Sequence, residues 1–199
     1  MTDCTTADRS LVDRRIDPAQ LSPATILLIE IALAAGGFGI GTGEFVIMGL
    51  LPEVATTYQV SVPDAGNVIS AYALGVVIGA PIIAALAAKL PRKTLLLLLM
   101  GLFAIGNFAS AMAPGFLSFT ALRFITGLPH GAYFGVAALV AASMAPPHRR
   151  VRAVGRVMLG LTIATLIGTP IATFLGQLMS WRAAFFMVAA IGGLTVALI

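Results

Sequence analysis

Cysteine, histidine and charged residues are all scarce in this sequence. Of 199 residues, one is cysteine, two are histidine and 10% are charged. The single cysteine, Cys4, excludes an intramolecular disulfide, and so few ligand side chains leave no credible metal site. Soluble domains carry about 25% charged residues, so this chain has too few charges to cover a surface in water. The scarcity argues against a disulfide-stabilised domain, a metal centre and a soluble protein.

Long apolar segments make up most of the chain instead. Hydrophobic residues account for 59% of it, and the mean hydropathy is +1.00. The segments are about 18 to 25 residues long, the length that a helix needs to cross roughly 30 Å of hydrocarbon. They lack the alternation of outer-membrane strands. The pattern predicts an all-α membrane protein, with a disordered cytosolic tail at 1–24 and a six-helix bundle at 25–199. The predicted spans are 25–50, 64–88, 94–112, 116–142, 153–176 and 181–199.

Basic residues lie on alternate connections between these spans. The tail holds Arg9, Arg14 and Arg15, the second connection Lys89, Arg92 and Lys93, and the fourth Arg149, Arg150, Arg152 and Arg156. The first and third connections have no Lys or Arg, and the fifth has only Arg182. The positive-inside rule therefore places the amino terminus in the cytosol. It also explains the net charge of +4 without a nucleic-acid partner.

Glycine and proline recur inside the predicted spans. Glycines four residues apart occur at 37 and 41, 39 and 43, 75 and 79, and 127, 131 and 135. Such spacing lets helix backbones approach closely, so it is explained either by static packing or by a moving surface. Pro81, Pro129 and Pro170 lie within spans, where each removes a backbone donor. Outside the spans, Ser61 to Asp64 form a capping box that starts the second span.

Three ionisable residues lie deep in the predicted spans. Placing a charge at a helix centre costs about 2.5–3.5 kcal/mol on insertion scales. Counting along the helices puts Glu44 and Arg123 at one level, each ~9 Å outside the midplane. We therefore expect an ion pair if the first and fourth helices are neighbours. His130 shares a helix face with Arg123, so the three predict either a proton relay or static packing contacts. Glu30, ~12 Å inside the midplane, is expected to be merely wetted.

Four segments in chain order carry a family resemblance. They are GTGEFVIMGLLPEVA (41–55), SAYALGVVIGAP (70–81), RFITGLPHGAYFGV (123–136) and GQLMSWRAAF (176–185). With them the chain resembles the amino-terminal half of a major facilitator superfamily transporter. The resemblance is to the drug:proton antiporter group, and within it to the arabinose-efflux-permease-like members. It implies a twelve-helix fold of two six-helix halves that rock around a central cavity.

The resemblance also assigns roles to particular residues. Arg123 matches the basic residue of the fourth-helix motif, which is usually assigned to proton transfer, and the cavity-lining first and fourth helices of the family would bring Glu44 near it. Glu44 and His130, singled out above by their depth, complete the predicted proton-coupling set with Arg123. A gating and helix-kink set matches the antiporter motif in part, with Thr169 where a glycine is expected. That set is Gly160, Gly168, Pro170 and Gly176, with Pro129 in the fourth span. Lys89, Arg92 and Lys93 match the cytosolic loop motif, although Ala88 replaces the aspartate that helps hold the halves together.

The expected function is secondary active transport in a bacterial inner membrane. The resemblance implies efflux of a small organic solute, driven by the proton gradient with no bound cofactor. Its partners would be membrane lipid, the solute, and a missing carboxyl-terminal half, since the sixth span ends abruptly at Ile199. A half-transporter that needs a partner half, or an inert truncated fragment, is the alternative. An intramembrane serine protease is not expected, because the chain has no G-x-S-x-G and no catalytic set.

Overall fold

The structure is a computed structural model that describes residues 22–86 and 90–199. Over these residues the chain forms nine α-helices, two 3₁₀ segments and one π-helical turn. The α-helices are α1 (Pro23–Phe45), α2 (Leu51–Tyr58), α3 (Val62–Ala65), α4 (Asn67–Leu86), α5 (Arg92–Ala111), α6 (Phe116–Met144), α7 (Arg150–Ile163), α8 (Thr169–Leu178) and α9 (Trp181–Leu198). The 3₁₀ segments are Val46–Leu50 and Pro147–Arg149, and the π-helical turn is Ala164–Gly168.

The helices join into long apolar segments, as the sequence predicts. Six in the described part of the chain are long and apolar enough to cross a membrane. They are Pro23–Tyr58, Val62–Leu86, Arg92–Ala111, Phe116–Met144, Pro147–Leu178 and Trp181–Leu198. The predicted all-α, six-span architecture is confirmed. Most of the predicted tail lies outside the described residues, and α1 begins at Pro23 rather than residue 25.

Two span boundaries differ from the prediction by more than two residues. The first span continues through a 3₁₀ segment into α2 and ends at Tyr58 instead of residue 50. Pro52 fits there because the first turn of a helix needs no proline N–H donor. The first connection is therefore short, and the left-handed residue Gln59, with φ 55°, ends α2. The predicted cap at its far side is confirmed, since Ser61 Oγ accepts a hydrogen bond from the Asp64 amide at 3.1 Å. The fifth span begins at Pro147, because Arg149 and Arg150 are helical rather than in a loop.

Glycine brings α4 and α6 into backbone contact. A Cβ on Gly79 would lie 2.5 Å from Leu128 Cα, and one on Gly127 would lie 3.2 Å from the Val76 amide nitrogen. Lipid gives helices no hydrophobic drive to associate, so the close van der Waals packing that small residues allow stabilises the contact instead. The packing interpretation therefore holds for these positions. It does not extend to Gly135, which has open space beside it within the described residues.

Two clusters of buried side chains fill the bundle. One lies toward the amino-terminal side and includes Leu33, Phe103 and Tyr133, whose hydroxyl donates to the Leu33 carbonyl at 2.8 Å. The other lies at the opposite ends of the spans and centres on Trp181, Phe185 and Phe119. These clusters fix the helices that carry the buried polar residues described next.

A clamp made by Arg182 and Tyr58, which we call the arginine clamp, ties the ends of three spans together. Arg182 Nη1 donates to the carbonyls of Ala111 at 2.5 Å and Ala113 at 3.1 Å. Tyr58, at the end of the first span, donates to the same Ala113 carbonyl at 2.9 Å. The Arg182 guanidinium also lies 4.5 Å from the Trp181 ring. Arg182, at the start of α9, therefore links the ends of the first, third and sixth spans.

Candidate functional site

Four polar side chains meet inside the bundle, and we call them the membrane cluster: Glu44, Tyr72, Arg123 and His130. Tyr72 Oη lies 3.0 Å from His130 Nδ1, within hydrogen-bond distance. Glu44 Oε2 lies 3.9 Å from the same nitrogen. The side chain of Glu44 is 29% exposed and that of His130 is 13% exposed. The cluster thus runs from an accessible carboxylate to a buried interior.

Helix geometry brings these residues together. Glu44 lies near the end of α1, while Arg123 and His130 are seven residues apart on one face of α6. Tyr72 reaches them from α4, where Gly75 lies directly against the Phe124 carbonyl of α6. A side chain at Gly75 would force the two helices apart, so this glycine sets the distance from Tyr72 to His130. No local pattern indicates this contact, because Tyr72 and His130 lie 58 positions apart in the chain.

Arg123 is the most unusual member of the membrane cluster. It is completely buried, and its three guanidinium nitrogens have no hydrogen-bond partner among the described residues. Its guanidinium carbon lies 4.3 Å from the Tyr72 ring centroid and 5.4 Å from that of Phe185. Cation–π contacts of this kind offset only part of the desolvation penalty of a buried charge. A costly charge at this depth is typical of a functional residue in a membrane protein.

The expected ion pair between Glu44 and Arg123 is not formed. Among the described residues no carboxylate lies within 4.0 Å of Arg123, and the contact of Glu44 is with His130, whose ring is charged only when it is protonated. The Arg123 guanidinium lies over the rings of Tyr72 and Phe185, whereas the Glu44 carboxylate lies beside His130, about two turns further along the same face of α6. Counting residues predicts the depth of a side chain but not its direction around the helix. The three predicted residues nevertheless share one site. Glu44 lies beside His130, and Tyr72 contacts both His130 and Arg123.

Gly160, Gly168 and Gly176 form a contact line between the fifth and first spans. A Cβ on Gly160 would lie 3.0 Å from the Phe38 amide nitrogen, and one on Gly168 would lie 2.8 Å from the Phe38 ring. A Cβ on Gly176 would lie 2.8 Å from Leu50 Cδ1. Close packing therefore accounts for all three glycines of the predicted gating set, and a gating role for them stays a prediction.

Pro170 follows a widened turn of the fifth span. The π-helical turn Ala164–Gly168 ends where the Thr169 amide donates to the Ala164 carbonyl, five residues back. Pro170 has no amide hydrogen, and its ring would clash with the carbonyl four residues earlier in a regular helix. The wider turn relieves that conflict, and π-helical turns occur frequently at functional sites. Pro129 is instead buried within a continuous α6.

The cytosolic loop motif is only partly within the described residues. Lys89 lies outside them. Arg92 is the first residue of α5 and donates to the Leu139 carbonyl at 3.4 Å, while Lys93 is exposed. Arg92 thus connects the third span to the fourth, in addition to its predicted topological role.

An ion pair that the sequence analysis does not predict joins the first and fifth spans. Arg156 Nη1 donates to Glu30 Oε2 at 2.6 Å, and the Glu30 side chain is only 3% exposed. The expectation that Glu30 is merely wetted is wrong, because α7 lies against α1 and covers the carboxylate. The signal was available: a carboxylate inside a span needs a partner, and Arg156 is the basic residue furthest into the fifth span.

Sequence comparison identifies the family. The profile described as Major Facilitator Superfamily matches residues 33–199. This chain belongs to the Major Facilitator Superfamily. It is 46% identical over 162 residues to the inner membrane transport protein YdhP of Escherichia coli, covering 81% of this chain and 42% of that protein. It is also 43% identical to the putative transporter AraJ of Escherichia coli, covering 81% of this chain and 41% of that protein.

Other relatives and solved structures agree with the family. A chloramphenicol resistance protein of Streptomyces lividans is 35% identical, over 84% of this chain and 42% of that protein. The structure of the proton:xylose symporter XylE superposes with a TM-score of 0.79 at 19% identity, over 89% of this chain and 45% of that one. This likeness shows the fold, six helices of a major facilitator. The chain spans less than half the length of these proteins.

Proposed function

We propose that this chain is the six-helix half of a secondary active transporter that exports a small organic solute in exchange for protons. The membrane cluster is the observation that carries the proposal. It places a titratable carboxylate, an imidazole, a phenol and a permanent cation in contact within the membrane-spanning region. Such a set can bind and pass a proton, and a purely structural bundle has no need of it.

The partly exposed Glu44 is the proposed point of proton entry. When ionised, Glu44 attracts His130 and the nearby positive charge of Arg123; when protonated, it loses that attraction. A proton therefore changes the free energy of one arrangement of the first and fourth spans relative to another, which is what a two-state transporter requires. Tyr72, which contacts both His130 and Arg123, would transmit the change between them.

The direction of transport rests on the relatives. One matched protein is named for chloramphenicol resistance and another as a probable sugar efflux transporter. Both names support export, and the name of YdhP supports an inner membrane location. The alternating charge of the connections supports a cytosolic amino terminus. The solute would bind where the cluster opens, against a partner half that completes the cavity, since alternating access needs two halves to rock against each other.

A transport assay with a matched pair of variants tests the proposal. The chain is expressed together with a six-helix carboxyl-terminal half, and proton-driven export of fluorescent amphipathic solutes is measured in inverted membrane vesicles. Glu44→Gln should abolish coupling, whereas Glu53→Gln, which removes a carboxylate further along the first span, should preserve it. Export that stays proton-coupled in the Glu44→Gln variant would contradict the proposal. Equal export by the chain alone would contradict the need for a second half.

A further inference from the structure

A groove of about 460 Å³ lies between α1 and α7, on the side of the bundle where α1 begins. Its walls are apolar, and the Glu30–Arg156 ion pair lines its end nearest the start of α7. Four of its wall residues are about half-exposed despite being apolar: Leu27 at 48%, Ile31 at 53%, Leu159 at 52% and Ile163 at 45%. The groove is therefore open and apolar along its length, and it is charged at one end.

The groove is separate from the membrane cluster. Leu27, Ile31 and Phe38 lie on a face of α1 that is between about 100° and 140° away from Glu44 at 100° per residue. The fifth span packs against α1 between the two places, since Gly41 lies about 60° from both Phe38 and Glu44 and faces Leu161 and Ala164. The mechanism proposed above makes no use of this face.

Charge and apolar surface are arranged in order along one face of α7. Arg152, Arg156, Leu159 and Ile163 follow at intervals of four, three and four residues, so they lie on a single face. Arg152 is exposed, and it lies ~6 Å nearer the start of α7 than Arg156. Glu30, the partner of Arg156, is ~12 Å from the midplane by residue count, and the hydrocarbon ends at about 15 Å. Arg152 is therefore at the level of lipid headgroups, and the apolar walls are at the level of acyl chains.

We propose that this groove binds one anionic phospholipid from the leaflet on the amino-terminal side. An acyl chain would lie along the walls formed by Ile31, Leu159 and Ile163. The phosphate would accept hydrogen bonds from Arg152 and from the outward edge of Arg156, whose side chain is 43% exposed. Basic pockets between spans on this side of a membrane bind anionic headgroups in this way. A zwitterionic lipid fits less well, because Glu30, the one carboxylate at the site among the described residues, is only 3% exposed and already paired.

Lipid retention by the purified chain tests this site. The chain is equilibrated with mixed micelles that contain phosphatidylglycerol or phosphatidylcholine of identical acyl chains, and bound lipid is counted by native mass spectrometry. Phosphatidylglycerol should be retained preferentially. Arg152→Gln should weaken its binding about fivefold, the effect of one basic residue near a membrane surface. Ile163→Trp should reduce retention by filling the groove.

Arg150→Gln is the matched control. It makes the same charge change two residues away, but its side chain is about 160° around the helix from Arg152, so binding should be unchanged. Equal losses in Arg150→Gln and Arg152→Gln would mean that general surface charge attracts the lipid, and would overturn the site. Equal retention of the two lipids, or full retention by Ile163→Trp, would overturn it as well. Neither arginine is buried, and elution of each variant as a single species confirms that it has folded.

Discussion

Replacing Gly160 with alanine should drive the fifth span away from the first. The added Cβ would overlap the Ala34 carbonyl oxygen and would lie 2.8 Å from its carbon and 3.0 Å from the Phe38 amide nitrogen. These are backbone atoms, so no side chain can rotate away, and one helix must shift. Overpacking of this kind costs about 1–3 kcal/mol.

Gly155→Ala on the same helix isolates that cost. Nothing in the described residues lies within 4 Å of a Cβ at Gly155. Both variants gain the same helix propensity, about 1 kcal/mol for alanine over glycine, so the gain cancels in the comparison. The difference between the two variants is then the overpacking cost alone.

Thermal unfolding in detergent, followed by size-exclusion chromatography of heated samples, measures the difference. At roughly 3 °C per kcal/mol for a chain of this size, the Gly160→Ala midpoint should lie roughly 3–9 °C below that of Gly155→Ala. Equal midpoints would refute the contact line between the first and fifth spans. The close approach of α7 to α1 described above would then be wrong.

Three further predictions concern the buried charges. Arg123→Met should raise the thermal midpoint, because it removes a buried cation that has no hydrogen-bond partner among the described residues. It should also abolish proton-coupled export in the vesicle assay. A midpoint below that of the parent would argue for a structural role of Arg123. Arg156→Gln should lower the unfolding midpoint more than Glu30→Gln, because it leaves a carboxylate that is 3% exposed without its partner, whereas the reverse change leaves an arginine that is 43% exposed; the opposite order would contradict this. Arg182→Gln should lower the free energy of unfolding by about 2 kcal/mol, because hydrogen bonds from a charged donor to two carbonyls are lost; an unfolding midpoint equal to that of the parent would show that the arginine clamp contributes nothing.

The fold followed from the sequence because the membrane restricts it. Spanning helices satisfy their own backbone, so hydropathy and length determine the number of spans, and the Ser61 cap marks where the second begins. The end of the first span was missed because Pro52 and Glu53 suggest a loop. A proline in the first helical turn and a carboxylate near a helix start are also favourable in α2, and local pattern alone does not choose between the two.

The candidate site followed from the sequence only in part. The cost of charge in lipid singles out Glu44, Arg123 and His130 without any structure. Their contacts depend on the orientation of each helix about its own axis. Glycine contacts between spans that are far apart in the chain set this orientation. The direction of Arg123 toward Tyr72 and the pairing of Glu30 with Arg156 are both long-range results of this kind.

The π-helical turn Ala164–Gly168 has a consequence for related sequences. It inserts one residue into the fifth span without lengthening the contact line of Gly160, Gly168 and Gly176. Closing this turn into a regular helix without removing a residue would rotate the rest of the span by about 100°, and Gly176 would then leave Leu50. Deleting one residue from the turn would instead restore a regular helix and keep Gly176 against Leu50. Homologues that are one residue shorter here should therefore have a regular helix and carry small residues at the same contacts.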